Sequence, residues 1–290
     1  MRSPRVLKAF WTFFLVTVGL LLIVLAFTSD FSLAKHFEGS VWLYVSVALM
    51  ALVSEYVDSS LGMGYGTTLT PVLIIMGYQP LFVVPAVLLS EFVTGISSGL
   101  LHHNQGNVDL GRGTRARKTA MILAVCSLVG TVIAVFAAVS LPKTIVKSYI
   151  GLMILGIGIF ILLTRGKTGR FSFKKIIGLG GVAAFNKGIS GGGYGPLVTG
   201  GQVAFGVPEK SAVGITSLAE GLVCATGLFL YFIMNKGMAW GLALPLMIGA
   251  LLSVPAAVWT VKLMPPKMLR QSIGYATIFL GVLTIVRVVL

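Results

Sequence analysis

Two glycine-rich stretches decide how this chain folds: Gly62-Met63-Gly64-Tyr65-Gly66 and Gly191-Gly192-Gly193-Tyr194-Gly195. Each interrupts a long apolar segment, residues 41–77 in the first case and residues 176–206 in the second. Glycine lacks a side chain, so such a cluster permits a tight backbone turn and the close approach of a neighbouring helix or a ligand. Each segment is too long for one straight membrane crossing and too short for two. We therefore predict a helix break at each glycine cluster.

The composition of the chain predicts a membrane protein. Of its 290 residues, 56% are hydrophobic and 10% are charged, whereas a soluble domain has about 25% charged residues. Apolar runs long enough for a helix to cross a bilayer recur from Phe10 onward. Because unpaired backbone polar groups are too costly in lipid, these runs must form helices. The predicted fold class is an all-α polytopic protein of the cell (inner) membrane.

The net charge of +14 raises nucleic-acid binding as an alternative, which the positions of the basic residues disfavour. Many of them gather in short loops between apolar runs, at residues 102–118 and 165–175. This is the positive-inside pattern of membrane proteins, whereas a nucleic-acid-binding surface needs one continuous basic face. The expected partners are the lipid bilayer and a small anionic substrate rather than nucleic acid. Homo-oligomerisation is left open.

The two glycine-rich segments belong to an internal repeat. At an offset of 129 residues, nine of the thirty positions from 62 to 91 are identical, and Glu91 coincides with Glu220. The chain is therefore predicted to have four parts. These are an N-terminal transmembrane helix with an outer loop (1–40), repeat 1 (41–164), a basic cytoplasmic linker (165–175) and repeat 2 (176–290).

The charge of the loops predicts the topology. Full crossings are predicted at residues 9–28, 81–101, 119–141, 144–164, 210–233, 239–261 and 268–289. The two most basic loops are both cytoplasmic only if each glycine-rich segment enters the membrane and returns to the same side as a re-entrant hairpin. Each repeat then has one hairpin and three crossings, an odd number, so the repeats are inverted, as in many transporters. The N-terminus is predicted in the cytoplasm and the C-terminus outside.

The half-helix after each break is predicted to bind an anion. Half-helices are expected at residues 67–77 and 196–206, and a helix N-terminus offers free N–H groups and the positive end of the helix dipole. Two such starts converging in the membrane would form one pocket. The predicted substrate-binding residues are Gly62, Gly64, Tyr65, Gly66, Thr67, Thr68, Asn186, Lys187, Ser190, Gly191, Gly192, Gly193, Tyr194 and Gly195. The alternative is that the glycines only allow tight packing of helices.

Five ionisable side chains lie inside apolar segments: Glu55, Asp58, Glu91, Lys187 and Glu220. Such groups are expensive in a membrane and mark ion pathways, proton relays or specific pairs. Lys187 would attract an anionic substrate; the alternative is a structural bridge to Asp58 or Glu55. Glu91 and Glu220 are equivalent in the two repeats, which favours bracing of hairpin against helix over proton transfer. Glu55 and Asp58 lack acidic counterparts in repeat 2, so we predict proton coupling there.

The other motifs argue against an enzyme, a metal site or a cofactor. Gly188-Ile189-Ser190-Gly191 resembles the serine motif of intramembrane proteases, but no histidine follows it to act as a base. His102 and His103 precede it beside a basic loop, where we expect them at the membrane interface. The chain has no Walker-type phosphate loop, so it would not use ATP. Cys126 and Cys224 lie in apolar runs and are interpreted as small packing residues.

The sequence resembles the sulfite exporter TauE/SafE family, also called the 4-toluene sulfonate uptake permease family. The resemblance covers residues 41–290 and is carried by the glycine-rich stretches, by Pro71-Val72-Leu73 with Gly77, by Gly206-Val207-Pro208 and by Gly106-Asn107-Val108-Asp109. It implies a secondary transporter that exports sulfite, sulfonates or related small oxyanions without ATP. An anion channel of the same fold and a cation or proton-coupled transporter that uses the buried carboxylates are the alternatives.

Overall fold

A computed structural model of the chain describes residues 41–76, 78, 80–138, 152, 155–156, 159, 163, 169–190, 193–233 and 238–289. Within these ranges the ordered backbone is helical, with no strand. The predicted crossing at 9–28 lies outside the described residues, as does most of the one at 144–164. The all-helical class predicted from the composition is confirmed for the part of the chain that is described.

The helices follow the apolar runs. They are α1 (Val41–Leu61), α2 (Tyr65–Ile75), α3 (Pro80–Asn104), α4 (Arg115–Ala138), α5 (Phe173–Ser190), α6 (Tyr194–Ala204), α7 (Glu209–Ile233), α8 (Trp240–Leu263) and α9 (Pro266–Val289). Five predicted crossings coincide with α3, α4, α7, α8 and α9 to within four residues at each end. Among the described helices, α1, most of α3, α7 and α8 are long and apolar enough to cross a membrane.

Each glycine-rich stretch separates a long helix from a short one. Gly62 and Gly64 lie between α1 and α2 with φ angles of 71° and 131°, and Gly193 precedes α6 with a φ angle of 79°. Only glycine adopts these angles readily. Both short helices begin two residues earlier than the predicted starts at 67 and 196, so that Tyr65 and Tyr194 are their first residues.

Each short helix folds back along its long partner. Thr68 Oγ1 of α2 lies 3.5 Å from Ser54 Oγ of α1, and a side chain added at Gly201 of α6 would meet Leu179 of α5 at 2.6 Å. The two helices on either side of each glycine-rich stretch therefore pack against each other as a helical hairpin. The first arm of each hairpin is the longer one, with 21 residues in α1 and 18 in α5.

Helices from the two halves of the chain interleave. The long arm α1 packs against α8, and the long arm α5 packs against α4. Between these pairs, α3 packs along α7. Leu88 lies beside Gly227 near one end of this pair, and His102 lies beside Gly214 near the other, so α3 and α7 run antiparallel. This central pair brings the middle of α3 next to the middle of α7.

Candidate transport site

The five ionisable residues predicted inside apolar segments are buried and lie at mid-depth of the helix bundle. Glu91 is the twelfth of 25 residues in α3, and Glu220 is the twelfth of 25 in α7. Since an α-helix rises about 1.5 Å per residue, each glutamate lies roughly 16 Å from the start of its helix. This is about half the thickness of the hydrocarbon core. Lys187 in the last turn of α5, together with Glu55 and Asp58 near the end of α1, is also buried.

Lys187 lies at the centre of the cluster. Its Nζ is 3.0 Å from Glu91 Oε2 and 2.6 Å from Glu220 Oε1, and an ammonium group has three hydrogens with which to bond both. Lys187 therefore does form a bridge, but the partners named by the bridging alternative, Asp58 and Glu55, are wrong. The antiparallel crossing of α3 and α7 brings the two equivalent glutamates together, and Lys187 reaches them from α5.

Two carboxylates cap the N-terminus of α2. The N–H of Tyr65 donates to Asp58 Oδ1 at 3.3 Å, and the N–H of Gly66 donates to Glu91 Oε1 at 3.1 Å. The first N–H groups of a helix have no partner inside the helix, and negative charge is stabilised there by the helix dipole. The N–H donors that we predicted would bind a substrate anion are thus bonded, in this structure, to carboxylates of the chain itself.

The N-terminus of α6 is different. Its N-cap residue, Gly193, provides no side-chain cap. At the position equivalent to Asp58, repeat 2 has Lys187, whose ammonium cannot accept a hydrogen bond from an amide. Among the described side chains, the carboxylate cap that Asp58 provides for α2 therefore has no equivalent at α6.

The two breaks touch each other. A Cβ added at Gly195 would come within 2.7 Å of the carbonyl oxygen of Gly62 and of Met63 Cα, so only glycine fits there. Thr199 Oγ1 donates to the same Gly62 oxygen at 2.7 Å and lies 2.9 Å from Thr216 Oγ1. The start of α6 is therefore bound directly to the first glycine-rich stretch.

Glu55 is surrounded by hydroxyl groups. Ser59 Oγ donates to Glu55 Oε1 at 2.6 Å, and Thr94 Oγ1 lies 3.1 Å from Glu55 Oε2. Thr94 Oγ1 is also 3.0 Å from the carbonyl oxygen of Ser90, and its single hydrogen cannot serve both acceptors. A proton on Glu55 Oε2 would bond to Thr94 and leave the hydrogen of Thr94 for Ser90. This site accommodates a carboxylic acid with every group satisfied.

The tyrosine hydroxyls that we predicted as donors bond to serines. Tyr65 Oη lies 2.7 Å from Ser90 Oγ on α3, and Ser127 Oγ on α4 donates to Tyr194 Oη at 3.3 Å. Both tyrosines are fully buried. They anchor the starts of α2 and α6 to neighbouring helices.

The remaining predicted residues divide into two groups. The hydroxyls of Thr67 and Thr68 donate to the carbonyl oxygen of Gly64 and thereby stabilise the first turn of α2. Four residues lie outside the described part of the chain, either entirely or in their side chains: Asn186, Ser190, Gly191 and Gly192. Their placement in the binding site stays a prediction.

Our sequence reasoning missed several polar partners in this site. Cys224, which we interpreted as a packing residue, donates its thiol hydrogen to Glu91 Oε2 at 3.3 Å. It follows Glu220 by four residues, so both lie on one face of α7. Ser90 and Thr94 are likewise four residues apart on α3, next to Glu91. A small polar residue within four positions of a buried charge on the same helix is the signal that points to such partners.

His102, in the last turn of α3, packs into the interior of the protein. Its side chain is fully buried, with Nε2 2.9 Å from the carbonyl oxygen of Ser59 and Nδ1 3.0 Å from Asn107 Nδ2. Asn107 Nδ2 also donates to the carbonyl oxygen of Val258 at 3.1 Å. The Ser59 carbonyl is among the last four of α1, which lack a helical N–H partner. Burial of His102 follows because an unpaired carbonyl is costly in a membrane protein.

Comparisons with known proteins found a family model and a relative that each cover most of the chain. A family model described as "Sulfite exporter TauE/SafE" matches residues 46–284, a range that contains both glycine-rich stretches and the five ionisable residues of this site. The chain is 29% identical over 251 residues to "Probable membrane transporter protein YtnM" of Bacillus subtilis (strain 168), covering 82% of this chain and 81% of that protein. No solved structure matches the chain.

Proposed function

Because the chain belongs to the sulfite exporter TauE/SafE family of membrane transporters, we propose that it exports small oxyanions such as sulfite or organosulfonates without ATP. One observation carries the proposal: anion-binding donors from separate helices converge on one buried point. The N–H of Gly66 and the ammonium of Lys187 reach the Glu91 carboxylate at 3.1 and 3.0 Å. Donors that hold one oxyanion, a carboxylate, suit another oxyanion of similar size.

The proposed architecture is a pair of inverted repeats with re-entrant hairpins. Its support is that α3 and α7, which are equivalent in the sequence repeat, run antiparallel, and that the two glycine-rich turns touch each other. In this arrangement the substrate binds between the hairpins near the bilayer centre, and rocking of one repeat against the other exposes it to either side. The N-terminus is in the cytoplasm and the C-terminus outside.

The proposed transport is coupled to protons. One ammonium and four carboxylates in the cluster carry a formal charge of −3 when all are ionised, since +1 and −4 sum to −3. An anion that entered alone would make this −4, and uncompensated buried charge is costly. A proton that enters with the anion leaves the total charge unchanged. Glu55 and Asp58 are the residues that the sequence predicts for this proton, and the hydroxyl groups around Glu55 suit the protonated form.

The same formal charge favours a second candidate, a transporter that binds a cation at the buried carboxylates. The two candidate functions predict different effects on affinity when Lys187 is replaced. An anion site loses affinity when the ammonium is removed in Lys187→Ala and loses more in Lys187→Glu, whereas a cation site does not lose affinity in either variant.

The test is anion flux in proteoliposomes that contain the full chain. Vesicles are loaded with sulfite, thiosulfate, sulfoacetate, sulfate or a carboxylate, and flux is followed with and without an imposed pH gradient. A coupled transporter moves its substrate against the substrate's own gradient when protons flow, whereas a channel only equalises it. Lys174→Ala, on the exposed start of α5, is the matched control for Lys187→Ala. Failure of every anion to move, with cation flux intact, would exclude the anion proposal.

A further inference from the structure

The carboxylate of Glu91 occupies the place predicted for a substrate anion. Its Oε1 accepts from the N–H of Gly66 at 3.1 Å, and its Oε2 lies 3.0 Å from Lys187 Nζ and 3.3 Å from Cys224 Sγ. These donors come from α2, α5 and α7, whereas Glu91 itself lies on α3. An amide N–H at a helix start and a buried ammonium are the donors that a free oxyanion would require.

The cluster also contains a carboxylate oxygen that can accept a further hydrogen bond. Glu220 Oε1 bonds to Lys187 at 2.6 Å, but Glu220 Oε2 has no hydrogen-bond partner among the described residues although it is buried. A buried carboxylate oxygen without a partner is costly. A proton or a protonated ligand placed beside it would satisfy it.

We propose that the Glu91 carboxylate is an internal substitute for the transported anion, and that an anion enters only as Glu91 takes up a proton. This inference rests on the proposed function, but it places the coupling proton on Glu91 instead of on Glu55 or Asp58. The exchange is balanced: the carboxylate and a proton become a neutral carboxylic acid, and the anion takes over the released donors of Gly66 and Lys187. The net charge of the cluster is the same before and after, so one proton accompanies each monoanion. Lys187 keeps its bond to Glu220 throughout.

The other titratable groups around Glu91 define the alternatives. They are Glu55 and Asp58 from α1, Tyr65 from α2, Lys187 from α5, and Cys224 and Glu220 from α7. Of the other carboxylates, Asp58 also binds an N–H at the start of α2, whereas the carboxylate of Glu55 is bonded to the hydroxyl groups of Ser59 and Thr94. Glu55→Gln and Asp58→Asn therefore serve as comparison variants.

The experiment is direct binding of methanesulfonate to the purified full chain in nanodiscs, with proton uptake measured in weakly buffered solution. Methanesulfonate keeps a single negative charge between about pH 5.5 and pH 8, so any pH dependence belongs to the protein. In the wild type we expect about one proton taken up per anion and affinity that rises about tenfold for each pH unit of acidification. In Glu91→Gln we expect no proton uptake, pH-independent affinity and binding at least about tenfold tighter than the wild type at pH 8. Glu209→Gln, the same change outside the cluster on α7, loses a salt bridge to Arg270 but should keep the proton uptake and the pH dependence of the wild type.

The outcomes separate the two proposals. Binding to the wild type without proton uptake would overturn the inference and leave the anion-transport proposal standing. The inference would also be overturned if the affinity of Glu91→Gln kept the pH dependence of the wild type. The same holds if Glu55→Gln or Asp58→Asn, instead of Glu91→Gln, lost that pH dependence. No binding of methanesulfonate, isethionate, toluenesulfonate, sulfite or thiosulfate to any folded variant would reject the proposed function itself. If Glu91→Gln fails to fold, Glu55→Gln and Asp58→Asn decide: proton uptake retained in both supports Glu91, and its loss in either overturns the inference.

Discussion

Replacement of Lys187 by methionine would leave two buried carboxylates facing each other without their cation. Methionine keeps most of the length of the lysine stem but removes the ammonium, which lies 3.0 Å from Glu91 and 2.6 Å from Glu220. The side chains of all three are at most 8% exposed, so water cannot replace the lost partner. Removal of one member of a buried ion pair costs about 3–5 kcal/mol.

The loss of stability in Lys187→Met has an upper limit that can be calculated separately, because one proton can replace the lost positive charge. An ordinary glutamic acid titrates near pH 4.3, and each unit between this value and the pH costs about 1.4 kcal/mol. Protonation of one glutamate therefore costs about 3.7 kcal/mol at pH 7 but only about 1 kcal/mol at pH 5. The folded variant then binds one more proton than its unfolded chain, so its stability falls as the pH rises. We expect Lys187→Met to be destabilised by about 3–4 kcal/mol at pH 7 and by about 1 kcal/mol at pH 5.

The assay is the apparent melting temperature of the detergent-solubilised chain, followed by tryptophan fluorescence at both pH values. With about 2–4 °C for each kcal/mol in a chain of this size, the melting temperature should fall by roughly 6–16 °C at pH 7 and roughly 2–4 °C at pH 5. Lys174→Met, at the exposed start of the same helix, should change little at either pH. The double variant Lys187→Met/Glu220→Gln should recover most of the loss at pH 7. An equal loss at both pH values would refute the reasoning, since it would trace the effect to packing rather than to the carboxylates.

Three further substitutions test contacts elsewhere in the fold. Gly249→Ala should lower the free energy of unfolding by about 1–3 kcal/mol, because its Cβ would collide with the carbonyl oxygen of Ala48 at the crossing of α8 and α1. Its control is Gly178→Ala, where a Cβ would meet nothing within 4 Å. This change should be neutral or stabilising by up to about 1 kcal/mol. Thr199→Val should cost about 1–3 kcal/mol because the buried carbonyl oxygen of the first glycine-rich stretch loses its hydroxyl donor. His102→Leu should cost a similar amount, about 1–3 kcal/mol, by leaving a buried carbonyl oxygen at the end of α1 without its partner. Each is measured by the same melting experiment, and an unchanged melting temperature would contradict the assigned contact.

Features that depend on local sequence could be predicted. The apolar runs predict the all-helical membrane class because hydropathy acts through the composition of each segment, whatever its neighbours are. The bounds of α7 and α9 differ from the predicted crossings by at most two residues. The family could be identified for a similar reason, since the glycine-rich stretches and Gly106-Asn107-Val108-Asp109 are short motifs read along the chain.

Partners within the site could be predicted only in part. The list of buried charged residues came from hydropathy, and all five are buried. Which of these residues pair with each other could not be predicted from the sequence. Lys187 bonds to Glu91, which is 96 residues away, and to Glu220, which is 33 residues away. Nothing in the local sequence distinguishes these two carboxylates from Glu55 and Asp58 as partners.

The sequence by itself thus determined the membrane class, the family and the residues whose burial demands an explanation. Tertiary structure decided which donor meets which acceptor. The crossing of α3 with α7 selected the partners of Lys187, and the turn after α1 placed Asp58 at the N–H of Tyr65. The physical reason is that hydropathy and helix breaking are properties of neighbouring residues, whereas a hydrogen bond depends on distances of about 3 Å that the packing of separate helices sets.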